Sequence, residues 1–147
     1  MNREIIFRGR TAKGEWVYGD LLNLHNGDKY IVNNKFGACI DDKGNFINTE
    51  SPFVRKVIPE TVGQYVGIKD KNGKKVYEGD ILKVDRELNL WENKTKHETF
   101  YGVVEYDEEN TRFVTSGETY KNMPLFIRYN ISYEVIGNIF DKESENG

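Results

Sequence analysis

Two separated stretches of this chain carry nearly the same string, and that internal repeat constrains the fold more than any other feature. Phe7-Arg8-Gly9-Arg10-Thr11-Ala12-Lys13-Gly14-Glu15-Trp16-Val17-Tyr18-Gly19-Asp20-Leu21-Leu22 matches Tyr65-Val66-Gly67-Ile68-Lys69-Asp70-Lys71-Asn72-Gly73-Lys74-Lys75-Val76-Tyr77-Glu78-Gly79-Asp80-Ile81-Leu82 once two small gaps are allowed. Each copy sets a glycine-bearing turn before Val-Tyr, then Gly-Asp, then an aliphatic pair. A second match pairs Glu60-Thr61-Val62-Gly63-Gln64-Tyr65 with Glu134-Val135-Ile136-Gly137-Asn138-Ile139. The spacing predicts one domain over residues 1–147, built from pseudo-repeat units at about 1–66 and 65–140 that meet at Tyr65, with residues 141–147 as a frayed acidic tail.

The repeated residues also predict the kind of structure. Gly14 and Gly73 supply the positive φ that a hairpin turn needs, so the strands on either side can pair back on each other. Gly19-Asp20 and Gly79-Asp80 are read as further turns or bulges, with the aspartates accepting backbone N–H bonds. That turn context favours a structural role over a catalytic pair for Asp20 and Asp80. Short, bent strands and a 13% aromatic share predict a mainly β fold. The expected architecture is two related small units forming a pseudo-barrel or SH3-like barrel with at most short helices.

Between the matched segments the copies diverge. The first holds a compact hairpin, with Asn23-Leu24-His25-Asn26-Gly27-Asp28 turning into Lys29-Tyr30-Ile31-Val32. The second runs through Asp85-Arg86-Glu87-Leu88-Asn89-Leu90-Trp91-Glu92-Asn93-Lys94-Thr95-Lys96-His97, read as a long loop between strands that makes Trp91 a candidate contact residue. Asp107-Glu108-Glu109-Asn110 reads as a hairpin turn, and residues 122–133 as either an edge strand at Pro124 or a short helical turn.

Composition excludes several function classes. A single cysteine, Cys39, forbids an intrachain disulfide and reads as a small buried thiol, and with only His25 and His97 beside it a zinc site is not expected. Nucleotide-binding glycine loops, metalloprotease and serine-hydrolase motifs are missing, so neither a cofactor nor an enzymatic role is expected. The chain has no apolar run of membrane-spanning length and opens on polar residues, which predicts a cytoplasmic protein. Its net charge of -3 divides unevenly, with 14 basic and 11 acidic side chains up to Val84, and 7 basic and 13 acidic beyond.

Arg3-Glu4-Ile5-Ile6-Phe7-Arg8, the long stretch from Thr61-Val62-Gly63-Gln64-Tyr65 through Gly79-Asp80-Ile81-Leu82, and Glu134-Val135-Ile136-Gly137-Asn138-Ile139-Phe140 together resemble the YopX family of bacteriophage and prophage proteins. The resemblance covers nearly the whole chain. It implies a small phage-encoded, β-rich pseudo-barrel protein and supplies no catalytic residues. One departure follows Phe140, where members often continue with an Asn-Pro-Glu-Leu-like segment and this chain has Asp141-Lys142-Glu143-Ser144-Glu145-Asn146-Gly147.

The leading expectation is therefore a non-enzymatic accessory protein that binds a host or phage protein through exposed aromatics, and that is open to homo-oligomer formation through its strand edges. Trp16, Tyr18, Lys69, Lys71, Lys74, Tyr77 and Trp91 are the candidate partner-binding residues, while Gly14, Gly19, Asp20, Gly73, Gly79 and Asp80 are structural turn residues. The alternative is nucleic-acid binding, with Arg3, Arg8, Arg10, Lys13 and Lys75 joining those lysines on phosphates and Trp16, Tyr18 or Tyr77 stacking on bases. Sequestration of a small nucleotide-like ligand is a lesser alternative.

Overall fold

A computed structural model describes residues 3–33, 53–126, 128 and 130–141. Cys39 and the tail beyond Asp141 lie outside the described residues. The chain divides into two compact units, Met1–Tyr65 and Val66–Gly147.

The structure is mainly β, as the repeat and the aromatic share predict. Strands β1 (Phe7–Arg10), β2 (Trp16–Asn23), β3 (Lys29–Val32), β4 (Val54–Val57), β5 (Gly63–Lys69) and β6 (Lys75–Tyr77) form an antiparallel sheet in the order β4-β3-β2-β1-β5-β6. A second antiparallel sheet has the order β10-β9-β8-β7-β11, from β7 (Asp80–Asn89), β8 (Thr95–Asp107), β9 (Arg112–Ser116), β10 (Met123–Pro124) and β11 (Ile131–Asn138). Both sheets are open, with edge strands at each end, and neither closes into a barrel. The only helical pieces among the described residues are short 3-10 turns at Pro59–Thr61 and Trp91–Asn93 and the lone position Asp141.

The repeated glycines build one turn. Thr11 N–H donates to Glu15 O at 2.8 Å and Gly14 N–H to Thr11 O at 2.9 Å, and the equivalent bonds run from Asp70 to Lys74 O at 2.7 Å and from Gly73 to Asp70 O at 3.0 Å. Gly14 and Gly73 sit at φ 88° and 82°, the left-handed region where a Cβ is strained. The residue that opens each turn also bonds across it with its side chain: Glu15 N–H donates to Thr11 Oγ1 at 3.2 Å, and Lys74 N–H to Asp70 Oδ1 at 2.9 Å. Leu24 to Asp28 repeats the backbone pattern a third time, with Gly27 at φ 93°.

The Gly-Asp steps differ between copies. Gly79 and Asp80 make the turn that was expected, in which Asp80 is 1% exposed and its Oδ2 accepts the Tyr77 N–H at 2.8 Å. Gly19 and Asp20 instead lie inside β2, where the strand hands its pairing from β1 to β3. Glycine is needed there for space, since a Cβ on Gly19 would stand 2.2 Å from the Val32 carbonyl oxygen. The ambiguous segment supplies a two-residue edge strand that pairs Pro124 with Val114.

Each unit has its own apolar cluster. Val32 and Val54 anchor the first, with Leu22, Tyr30 and Phe53 packed on them. Val76, Leu82, Val84, Phe100, Val104 and Tyr133 form the second. In the second unit Asp70 ties the β5–β6 turn to β11, because its carboxylate also accepts the Val135 N–H at 3.0 Å and the Asn72 N–H at 2.9 Å. In the first unit the equivalent closure runs through a hydroxyl, as Thr61 Oγ1 accepts the Arg10 N–H at 2.9 Å.

Burial works to raise the Asp70 pKa, but the N–H bonds from Val135, Lys74 and Asn72 and the Lys74 charge outweigh it and hold the carboxyl below its ordinary 3.8. Because the folded-state pKa is the depressed one, this stabilisation is present above pH about 4 and disappears as pH falls through the folded value. Asp70→Asn is expected to lower stability by about 1–2 kcal/mol at neutral pH and to flatten the acid limb of a Tm-versus-pH curve. An unchanged acid limb would remove Asp70 from this role.

Candidate binding arm

The stretch read as a long loop is a β-hairpin arm. β7 and β8 stay in register from Ile81↔Val103 out to Asn89↔Thr95, and the chain reverses at Leu90 to Lys94. β11 leaves β7 at Arg86, and β9 joins β8 only from Val103, so the outer part of the hairpin is two strands wide. Residues 87–99 are exposed apart from half-buried Leu88 and Glu98. Both faces of such an arm meet water, and polar residues occupy both, which erases the alternation that marks a half-buried strand.

Arg86 fixes the root of the arm. Its Nε donates to Glu98 Oε2 at 2.8 Å and its terminal nitrogen to the Tyr120 hydroxyl at 2.8 Å, while the same hydroxyl donates to Glu98 Oε1. The guanidinium lies 4.7 Å from the Tyr120 ring centre and 5.4 Å from that of Phe100, and those two rings meet edge to face at 4.7 Å. Hydrogen bonds from Tyr120 and Arg86 hold the Glu98 carboxyl below the ordinary glutamate range. On the other side of the root, Asn130 accepts the Glu87 N–H at 2.9 Å and donates its amide to the Glu87 carbonyl at 3.1 Å.

At the tip, Trp91 is 91% exposed and Leu90 is 46% exposed. Glu92 and Asn93 take φ 60° and 61° to close the reversal. The tryptophan is held out to solvent at the end of the β7–β8 hairpin.

The other candidate residues are scattered. Trp16 and Tyr18 share a face of β2 and line a cleft of about 300 Å³ in the first unit with Val17, Ile31, Asn33, Phe53 and Arg55. The Arg8 guanidinium stands 4.7 Å from the Trp16 ring centre, and Arg55 pairs with Glu15 at 2.9 Å. Tyr77 is 5% exposed, which corrects its reading as a contact or stacking residue, because the turn held by Asp80 carries its ring into the core. Arg8, 4% exposed, is likewise withdrawn from any phosphate-binding surface.

Lys69, Lys71 and Lys74 are exposed around the β5–β6 turn. Lys71 approaches Glu134 at 3.4 Å and Lys74 lies within electrostatic reach of Asp70, so the basic string is locally offset. Asp20 is exposed in the first unit and Asp80 buried in the second. No group of three or more His, Cys, Asp or Glu side chains suited to a metal ion is present among the described residues. No helix among them is long and apolar enough to cross a membrane.

Sequence reasoning singled out Trp91 but missed the Arg86–Glu98–Tyr120 cluster that positions it. The signal available was opposite charges on two strands whose pairing the Leu90–Lys94 reversal dictates. Trp91→Ala is expected to change unfolding free energy by less than about 0.5 kcal/mol, whereas Tyr120→Phe is expected to cost about 1–2 kcal/mol. Urea unfolding of both variants checks the contrast, and a large loss for Trp91→Ala would place that ring in the packing.

A family model described as YopX protein matches residues 6–144. No curated protein matches the chain.

Proposed function

Starting from a chain that belongs to the YopX family over nearly its whole length, we propose that it is a non-enzymatic protein-binding module of a phage or prophage, acting in the host cytoplasm, with the β7–β8 arm as its contact element. The observation that carries this reading is Trp91 at 91% exposure on the end of a hairpin whose root is clamped by Arg86. Tryptophan is the side chain most enriched among residues that dominate protein interfaces. A rigid root lowers the ordering cost that a flexible loop would meet on binding.

Charge favours a protein over a nucleic acid as the partner. Residues 85–99 carry Asp85, Glu87, Glu92 and Glu98 against Arg86, Lys94 and Lys96. Phosphate binding draws its free energy from an excess of cations, and the arm has none. An apolar tip on a nearly neutral stalk suits a protein surface.

A photo-reactive amino acid in place of Trp91 tests the reading. The expected result is a covalent protein adduct formed in cells and in purified material, lost when Leu90 is also replaced by a charged residue. Adducts to nucleic acid alone, or none at all, would overturn it.

A further inference from the structure

The arm leaves one strand edge open, and the geometry of that edge is self-complementary. Leu90 N–H donates to the Lys94 carbonyl at 2.6 Å, which sets the phase of the ladder. Antiparallel pairs alternate between exchanging both hydrogen bonds and exchanging none. With the register Leu88↔Lys96 and Arg86↔Glu98, those pairs are the bonded ones, while Asn89↔Thr95, Glu87↔His97 and Asp85↔Thr99 turn their backbone groups outward. The outward N–H and C=O of Glu87 are those met by Asn130, in agreement with this phase.

On the β8 side, no described strand pairs with the outward groups of Thr95, His97 and Thr99, because β9 begins to pair at Val103. The edge closes at Tyr101, whose carbonyl oxygen lies where a Cβ on Gly117 would come within 2.0 Å. Between these limits β8 has no proline and no register shift against β7. Of the devices by which proteins blunt a free edge, proline and a bulge are missing here, and the charges that the edge carries, Lys96 and Glu98, are of opposite sign.

We propose that this edge pairs with the same edge of a second copy of the chain, antiparallel about a two-fold axis at His97. The proposal rests on the arm being a protein-binding element and names its partner. In this register Thr95 faces the partner's Thr99, and Lys96 faces the partner's Glu98, each pair occurring twice. Moving the axis by one residue sets Lys96 against the partner's Lys96, or Glu98 against the partner's Glu98. Like charges directly opposite are destabilising, so charge selects one register.

The same register gives the exposed apolar tip a cover. Asn93 falls opposite the partner's Tyr101, which brings Leu90 and Trp91 toward a tyrosine that is 52% exposed. The contact is isologous and stops at two chains, since each copy offers the edge once.

Sedimentation velocity of the full chain over a range of concentrations is expected to show a reversible monomer–dimer equilibrium. Lys96→Glu, at an exposed position, places like charges across both symmetric pairs and is expected to weaken the dimer about tenfold. In a Cys39→Ser background, His97→Cys puts two thiols on a bonded pair with Cα atoms about 5.5 Å apart, within disulfide range, and is expected to cross-link under mild oxidation. Asn89→Cys, on the other strand of the arm, is expected not to. A monomer at every concentration, or His97→Cys linking no faster than Asn89→Cys, would overturn the self-pairing. If the chain is monomeric while a Trp91-position adduct to another protein persists, self-pairing falls and the protein-binding reading stands; loss of both removes both.

Discussion

The guanidinium of Arg86 is the boundary on which the second unit is organised. Toward the core, Leu82 and Val84 on the same strand are fully buried; away from it, the hairpin runs into solvent. Arg86 is flanked by Phe100 and Tyr120, bonded to Glu98 and to the Tyr120 hydroxyl, and so joins β7, β8 and the β9–β10 connection at one point. Burial opposes its charge, but the bonds to Glu98 and Tyr120 prevail and raise its pKa above the ordinary arginine value. A lysine there would lack the planar fork that reaches the carboxylate and the phenol together. The arm's direction is inherited from this cluster, and the position of Trp91 follows from the arm.

The two copies show how one local device can be kept while its use diverges. The turns at Thr11–Glu15 and Asp70–Lys74 share backbone bonds, a glycine at positive φ and a side chain spanning the turn. A polar side chain then ties each turn to the segment before Gly63 or Gly137. In one copy it is Thr61 accepting from Arg10, the residue just before the turn; in the other it is Asp70 reaching from the turn to Val135. Where the first copy continues with the four-residue β3, the second continues with the thirteen-residue β8. The arm is the difference.

Much of the fold was legible because turns are written locally. Gly14, Gly27 and Gly73 mark real turns, Asp107 to Arg112 is a hairpin, and the β class follows. Tyr77 misled because a Val-Tyr pair after a turn looks alike in both copies, while burial depends on the sheet that packs over it. Asp20 misled for a related reason: its glycine neighbour serves a close backbone approach, which adjacent residues do not reveal. The arm was read as a loop because no apolar face marks strands wet on both sides. Its decisive contacts, Arg86 with Glu98 and with Tyr120, span 12 and 34 residues.

Residue-resolved amide hydrogen exchange along β8 tests most directly whether residues 87–99 form an ordered two-stranded arm with an open outer edge. In dilute protein an ordered arm is expected to show alternation, with slow exchange at the inward N–H groups of Lys96 and Glu98 and fast exchange at the outward ones of Thr95, His97 and Thr99. Uniformly fast exchange across the whole stretch would contradict it, since an arm that is not formed can neither present Trp91 nor offer an edge.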